Sequence, residues 1–349
     1  MPVMPVANKT KRLVMASETT LGTIATFGTA SLVVPGSDIA LDYTRGTQIV
    51  ARDSVMDGYG GEMCGVPGSF GSNVSFSTEV HDIDGNAAPY WIRLLNASGF
   101  ATITSDGSSV TIGPTTVQPT NYSTGVQSAV SFALLHATGS GGQGSIQYST
   151  GTVGAATFNI TSGERLSIDF AMQGLIGSPF IEQRSDNILL TGSAGFVDIE
   201  CSPFVCKGIN ITMTDSQGGT IDVSSVNSIT INTNTNVGEV VDPTMAQGFN
   251  VSTVTWDAAP TVSIDMAETY NNNQTLWNNF RNGHTIAVDV TFTSNATGNT
   301  IEFNMPRVEF SGITPGERNG FSVLQAEGKA VRKPGDTLSD VFNIVWTHS

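Results

Sequence analysis

Cysteine is scarce in this chain of 349 residues: there are only Cys64, Cys201 and Cys206. An odd number this small excludes the disulfide framework of a compact secreted domain. Cys201 and Cys206 are close in sequence, but no histidine follows them at the spacing of a zinc site. We therefore expect all three to be reduced and structural.

Charge is also sparse, and positive charge is the scarcer kind. Charged residues make up 13 % of the chain, and 15 basic against 30 acidic residues leave a formal charge of −15. This balance argues against a surface that grips nucleic-acid phosphates through released counterions, although an acidic wall could face DNA without holding it. The sequence shows neither a membrane-length apolar run nor an apolar signal segment after the basic residues near its start, so we expect a protein that folds in a reducing cytoplasm.

Catalytic motifs are missing as well. The chain has four histidines and no G-x-S-x-G elbow, and His81 beside Asp82 and Asp84 is explained equally well by a turn. The segment Asp82–Asn86 resembles the front of a calcium loop but lacks the later bidentate glutamate. Carboxylate pairs of glycosidases are defined by distance in space, which sequence leaves open. The sequence predicts a protein that is not an enzyme, with no catalytic, cofactor or metal site.

What the chain does have is glycine, polar turns and alternating strands. It contains 38 glycines, and segments such as Ile286–Thr293 alternate between apolar and polar residues. Alternation of this kind is typical of strands with one buried and one polar face. The composition therefore predicts a mainly β protein.

A short phrase occurs twice. Ile160–Arg165 reads ITSGER and Ile313–Arg318 reads ITPGER, and each is expected to form a polar turn before an apolar stretch, Leu166–Phe170 and Phe321–Leu324. A repeat on this scale indicates two copies of one unit.

A second pair of segments repeats in the same order. Val74–Val80 alternates like a strand and leads through a turn into a helical pattern that includes Trp91; Val262–Met266 does the same before a helical pattern that includes Trp277. These helices are expected to stop at Gly99 and Gly283. The first copy is longer, so we place an inserted hairpin or loop at about residues 101–130.

Three motifs together resemble a known family. They are Glu18–Ile24, the strand and helix from Val74 to Gly99 that end in the sequence Trp91–Phe100, and Ile301–Val308. The chain is similar, from about Glu18 to Trp346, to the major tail tube protein of long-tailed, non-contractile (siphovirus-type) bacteriophages. These motifs are structural, so the resemblance brings no active site with it.

The resemblance implies a mainly β fold of two tandem tail-tube-like domains, each a β-sandwich or partial barrel with a short flanking α-helix. With it we divide the chain into an extended N-terminal arm over residues 1–40, a first domain over 41–190 and a second over 191–349. Two domains in one chain imply trimeric rings with pseudo-sixfold symmetry; hexameric rings are the alternative.

The implied function is that of a structural virion protein. Such rings stack into a hollow tail tube, assembled in the bacterial host cytoplasm, through which viral DNA passes during ejection without specific binding. The implied partners are further copies of the chain, a tape-measure protein, a tail terminator and tail-tip proteins. We expect the insertion and the N-terminal arm to make ring-to-ring contacts.

Acidic residues on alternating strands are the candidate lumen lining. They are Glu79, Asp169, Asp265, Asp289 and Glu302. Carboxylates facing a channel would repel phosphates, although each of these could equally be a solvated outer residue. A different function also fits a β-rich chain: a virion or cell-surface adhesin that binds a host glycan or protein. A polysaccharide-degrading enzyme is a third class.

Overall fold

The computed structural model describes most of the chain. The described residues are 11–19, 22–27, 31–45, 49–53, 62–82, 89–105, 108–114, 129–137, 144–184, 203–221, 223, 225–238, 243–244, 253–255, 260–294, 297–336 and 340–348. Over these ranges the fold is mainly β with two α-helices, which confirms the predicted fold class. No helix within them is long and apolar enough to cross a membrane.

The elements of the first half are mostly strands. In chain order they are β1 (Lys11–Ser17), β2 (Leu32–Val34), β3 (Gly36–Arg45), β4 (Ile49–Asp53), β5 (Glu62–Pro67), β6 (Gly71–Glu79), α1 (Tyr90–Ala97), β7 (Phe100–Ser105), β8 (Ser109–Pro114), β9 (Val130–Ala137), β10 (Gly144–Thr161) and β11 (Ser167–Arg184). The helix lies where the sequence predicted it, before Gly99.

The second half continues in the same manner. Its elements are β12 (Asn210–Asp215), β13 (Thr220–Ile221), β14 (Val226–Asn232), β15 (Asn236–Gly238), β16 (Thr253–Thr255), β17 (Thr261–Ala267), α2 (Tyr270–Asn282), β18 (Ile286–Thr293), β19 (Thr300–Arg318), β20 (Phe321–Ala330) and β21 (Asn343–Thr347). The C-cap of α2 is Gly283, whose left-handed backbone (φ 66°) suits glycine.

Strand pairing repeats between the halves. The neighbours in the sheet run β3-β6-β11-β10-β9 in the first and β14-β17-β20-β19-β18 in the second, all antiparallel. The helices also match, because α1 follows β6 along the chain and α2 follows β17, which holds the same place in the second order. We call these five strands with α1 the first repeat unit and the other five with α2 the second repeat unit.

The two repeat units share one sheet and one core. The last part of β10 pairs with β14 from Thr157↔Asn232 to Thr161↔Ser228, which joins the units edge to edge. Strand β21 pairs with β19 of the second unit and with β8 of the first half. Phe158 and Phe303, one from each unit, lie 5.0 Å apart between ring centroids. A division into two tandem domains stays a prediction, and residue 190, where we placed it, lies outside the described residues.

The repeated phrase forms different structures in the two units. Its first copy ends β10 and turns before β11, as predicted. The expected turn in the second copy is wrong: Ile313–Arg318 lies inside β19, and the chain turns at Asn319–Gly320. Both turn residues have positive φ, 52° and 80°. An Asn-Gly pair supplies the two-residue hairpin turn that suits twisted strands, so the turn forms there.

The region from residue 11 onward is not an arm, which corrects the boundary at residue 40. Strand β1 pairs with β9 from Lys11↔His136 to Ser17↔Val130, and β3 pairs with β6. Leu13 and Met15 belong to the main core, whereas Val14 packs into a second cluster on the opposite side of β1. Burial on both faces holds β1 in the fold. Residues 1–10 lie outside the described residues.

The predicted insertion is partly described. Its described part is β7 and β8, which pair with each other, and β8 also pairs with β21. Residues 115–128 lie outside the described residues. In the second unit the chain passes directly from α2 to β18, with no counterpart of this strand pair.

Candidate functional site

One side of the shared sheet is polar over eight neighbouring strands. Their order is β3-β6-β11-β10-β14-β17-β20-β19, and the opposite side carries the main core. We call the side away from the core the polar face. One row across it, read through the pairing register from β6 to β19, is Ser77, Asp169, Thr157, Asn232, Thr261, Lys329 and Glu309.

The next row has the same chemistry. It runs Glu79, Ser167, Asn159, Thr230, Ser263 and Glu327. Hydroxyl and amide side chains dominate both rows, carboxylates are spaced among them, and Lys329 is the one cation within the two rows. The face can therefore hold water and repel anions across the junction of the two repeat units.

All five predicted carboxylates lie on strands at positions that point away from the core. Glu79, Asp169 and Asp265 lie on β6, β11 and β17, within the polar face. Asp289 and Glu302 lie on β18 and the first part of β19, at partly exposed positions that alternate with buried ones. The structure thus brings the five onto one kind of surface, in two groups.

Two of the five carboxylates are partly neutralised. Arg165 forms an ion pair with Glu79, and Arg318 forms one with Asp265. Both arginines come from the repeated phrase and lie at the same end of the sheet as their partners. Asp169 instead accepts a hydrogen bond of 2.6 Å from Asn159 Nδ2, which leaves its charge in place. The negative potential is therefore strongest away from the two arginines.

Asp289 and Glu302 form a second acidic group. Asp289 is opposite Asn304 in the ladder, and Glu302 is opposite Thr291. Partial burial raises the pKa of Asp289, and the nearby charge of Glu302 raises it further, while a hydrogen bond with Thr212 acts in the opposite direction. Two carboxylates held this close fit a surface that disfavours other anions.

Sequence reasoning missed part of the polar face. Glu327 and Lys329 on β20 and Glu309 on β19 belong to its rows, and all three are exposed. The signal was the alternation of polar and buried residues over Gln325–Ala330. We instead treated the start of this strand, Phe321–Leu324, as an apolar stretch, whereas Phe321 is 73 % exposed.

The described residues do not form the arrangements that a catalytic or metal-binding site at His81, Asp82 or the cysteines would need. Asp82 is buried and accepts hydrogen bonds from Thr297 Oγ1 and, at 2.8 Å, from Asn299 Nδ2, so it ties the end of β6 to the β18–β19 turn. Asp84 lies outside the described residues. Within the described ranges, no group of three His, Cys, Asp or Glu side chains could hold a metal ion. The sulfur of Cys206 is buried, and burial raises its pKa.

A cavity of about 690 Å³ lies beside the turn between β10 and β11. Its described lining includes Gly163, Lys207, Ile211 and Val226, but no aspartate, glutamate or histidine. A glycosidase site of the usual kind needs two carboxylic side chains, so the described lining of this cavity does not supply that pair.

Comparison with known proteins does not assign this chain to a family. A scan against protein-family models finds no match, and a search of curated proteins finds no relative.

Proposed function

We propose that this chain is a structural virion protein that assembles into stacked rings, and that these form the hollow tail tube of a long-tailed, non-contractile bacteriophage. The observation that carries the proposal is the polar face. It is continuous across both repeat units, it is backed by the core, and it is rich in hydroxyl, amide and carboxylate groups. Such a wall suits a channel for DNA, because it offers water to the polymer and repels its phosphates.

The mechanism is confinement with electrostatic repulsion. DNA passing such a wall meets carboxylates such as Asp169 and Glu327, while the cation within the two rows, Lys329, lies 3.9 Å from Glu309 and is partly neutralised by it. The formal charge of −15 also makes the subunit as a whole repel DNA. Tape-measure, terminator and tail-tip proteins are the partners this role requires, and the virion tail is its location.

Assembly is the first test. We expect negative-stain electron microscopy of the purified chain, over a series of concentrations, to show rings and hollow tubes. Three chains per ring, with threefold modulation and pseudo-sixfold symmetry, would agree with two repeat units per chain, and sixfold rings of six chains would keep the function but remove that stoichiometry. Discrete particles at every concentration, with or without a seed of tail-tip complex, would contradict the proposal.

The orientation of the polar face is tested on the same tubes. We expect tubes of the Asp169→Lys/Glu327→Lys variant to retain short duplex DNA at low salt, whereas wild-type tubes exclude it. Glu164→Lys, on the exposed turn between β10 and β11, is a charge reversal outside the face, and it is matched to each of the single variants Asp169→Lys and Glu327→Lys, which are measured beside the double variant. Fluorescence anisotropy of labelled DNA measures the retention. Equal retention by the Glu164 and the double variant would place the polar face outside the lumen.

One observation favours the adhesin as a second candidate. Helix α2 exposes Tyr270, Trp277 and Phe280, and aromatic rings at a surface can stack on sugars or fill a partner's pocket. An adhesin remains a small oligomer and binds its ligand through this patch. Glycan binding that is lost in Trp277→Ala, by a chain that forms no rings, would support this candidate over the tube.

A further inference from the structure

The joint between the two repeat units is made by two specific edges, and both edges occur a second time with no further strand beside them in the described part of the chain. In the joint, the last part of β10 pairs with β14. The strand at the place of β10 in the second unit is β19, and the strand at the place of β14 in the first unit is β3. Among the described residues, β3 pairs only with β6, and the part of β19 after Val308 pairs only with β20.

We propose that the last part of β19 pairs with β3 of a second copy of this chain, in the manner in which β10 pairs with β14 within it. This deepens the proposed function, on which it rests, by naming the two edges that would close a ring. The occupant is a second copy because the chain already shows the joint between its own units. Repeated head to tail, the contact leaves no copy with an open edge.

The register follows from positions that match between the units. In the first unit Ser77 pairs with Ser37 and Asp169. In the second unit Asp265 occupies the position of Ser77, and it pairs with Ser228 and Gln325. Ser228 therefore corresponds to Ser37, and Gln325 corresponds to Asp169.

The second strand pair completes the match. Asp169 pairs with Thr157, and Gln325 pairs with Thr314, so Thr314 corresponds to Thr157. A backbone hydrogen bond checks this alignment: Val80 N donates to Leu166 O at 2.9 Å, and Glu268 N donates to Ser322 O at 2.9 Å.

The internal joint then gives the intermolecular one. Thr157 is opposite Asn232, and Thr161 is opposite Ser228. Asn232 corresponds to Asp42, which pairs with Asn73 as Asn232 pairs with Thr261. The predicted contact therefore sets Thr314 opposite Asp42, and Arg318 opposite Ser37, of the second copy.

Exposure along these edges is consistent with an absent neighbour. In β10 the residues from Thr157 to Thr161 are half-buried or buried, because β14 covers them. Their counterparts from Thr314 to Glu317 are all exposed, and on β3 so are Ser37, Asp38 and Ala40. The helix does not block the edge: α2 packs against β19 as α1 packs against β10, and β10 still pairs with β14.

Two further features of these edges fit this contact: the charges that it brings together, and residues that disfavour strand pairing with other proteins. Arg318 opposite Ser37 brings its guanidinium, which pairs with Asp265 in its own chain, beside the exposed Asp38 of the second copy, so that it would lie between two carboxylates. Pro315 has no N–H group, and Asp38 has a positive φ of 52° within the irregular register of β3. Both features make an edge strand less able to pair with the strands of unrelated chains. The intermolecular ladder should thus be weaker than the internal one, so rings should need concentration or a template.

Cysteine cross-linking tests the edges in the full chain. Directly opposed residues on paired strands are close enough for a disulfide. We expect Thr314→Cys/Asp42→Cys, oxidised at assembling concentration, to give covalent oligomers on a denaturing gel that end at the ring size. Thr314→Cys/Ser75→Cys is the control, because Ser75 is exposed on β6, one strand away from the edge. The wild-type chain reports the background of its own three cysteines.

The outcomes separate this inference from the proposed function. Cross-linked rings only in the Asp42 variant support the edges, and if microscopy then shows no tubes, the tube function fails while the edge pairing stands. Wild-type-like tubes of the Asp42 variant without cross-links above the control overturn the edge pairing and leave the function. Circular dichroism matching the wild type shows that each variant is folded.

Discussion

Helices α1 and α2 occupy the same place in the two repeat units but bury opposite sets of residues. In α1, Tyr90 and Trp91 are each 1 % exposed and belong to the core. In α2, Tyr270 is 84 % exposed and Trp277 is 39 % exposed. An aromatic helix thus serves as core in one unit and as surface in the other.

The difference arises from the ends of α2 and from the segment that comes after each helix. The buried face of α2 holds Asn272, Leu276 and Asn279. Asn272 forms a capping box with Thr269, and Asn279 O accepts hydrogen bonds from Gly283 N and His284 N. Helix α1 instead runs into β7, whose hairpin packs beside it. Position in a repeat therefore does not fix burial; the neighbouring segments do.

Truncating the two tryptophans should break this symmetry most clearly. We expect Trp91→Ala to lower the free energy of unfolding by about 3–5 kcal/mol, because it empties a buried site. Trp277→Ala should cost less than about 1 kcal/mol in the single chain, since its ring is partly in water already. Urea denaturation measures both. Similar losses for the two variants would show that α2 is covered in solution.

Capping gives a smaller contrast. Thr269 closes α2 through its side chain, whereas Pro89 before α1 provides no side-chain cap. We expect Thr269→Ala to lower the free energy of unfolding by about 1 kcal/mol and to speed amide exchange in the first turn of α2. Gln274→Ala, exposed in the middle of the same helix, is the matched control. No change in exchange at Asn272 would contradict the role of the cap.

The sequence predicted local structure better than contacts between distant segments. Both helices, the alternating strands and the extra segment after α1, which we expected to be a hairpin or a loop, were visible because periodicity and turn residues are local signals. The burial of Leu13 and Met15 depends on β9, more than a hundred residues away, so the N-terminal region looked like an arm. The exposure of Trp277 depends on a segment that the second unit lacks, which its own helix cannot reveal.

The candidate site divides along the same line. Alternation was sufficient to choose five carboxylates that point away from the core. It could not show that Arg165 and Arg318 neutralise two of them, because those pairs connect strand ends to hairpin tips. Nor could it show that β20 extends the polar face with Glu327 and Lys329. It also could not show that β3 and the last part of β19 each have a single neighbouring strand among the described residues, because register between strands sets these features.

Neutralising Asp289 in the second unit should have the smallest effect on the free energy of unfolding, and the effect should depend on pH. In the corresponding strand pairs, β9–β10 carries His136 hydrogen-bonded to Gln147 at 3.2 Å, whereas β18–β19 carries Asp289 near Glu302. Burial and Glu302 raise the pKa of Asp289, so between its unfolded and folded pKa values the folded chain binds more protons than the unfolded chain. The free energy of unfolding therefore falls as the pH rises through this window.

Asp289→Asn removes that penalty. We expect the variant to be slightly more stable than the wild type at pH 7, and the gap to close as the pH falls below the ordinary aspartate value of about 4. Urea denaturation at a series of pH values measures the gap. In a Glu302→Gln background the gain at pH 7 should shrink, because the repelling charge is gone. An undiminished gain in that background would show that burial alone sets the pKa of Asp289, and that the acidic pair is no stronger a source of repulsion than the neutral pair of the first unit.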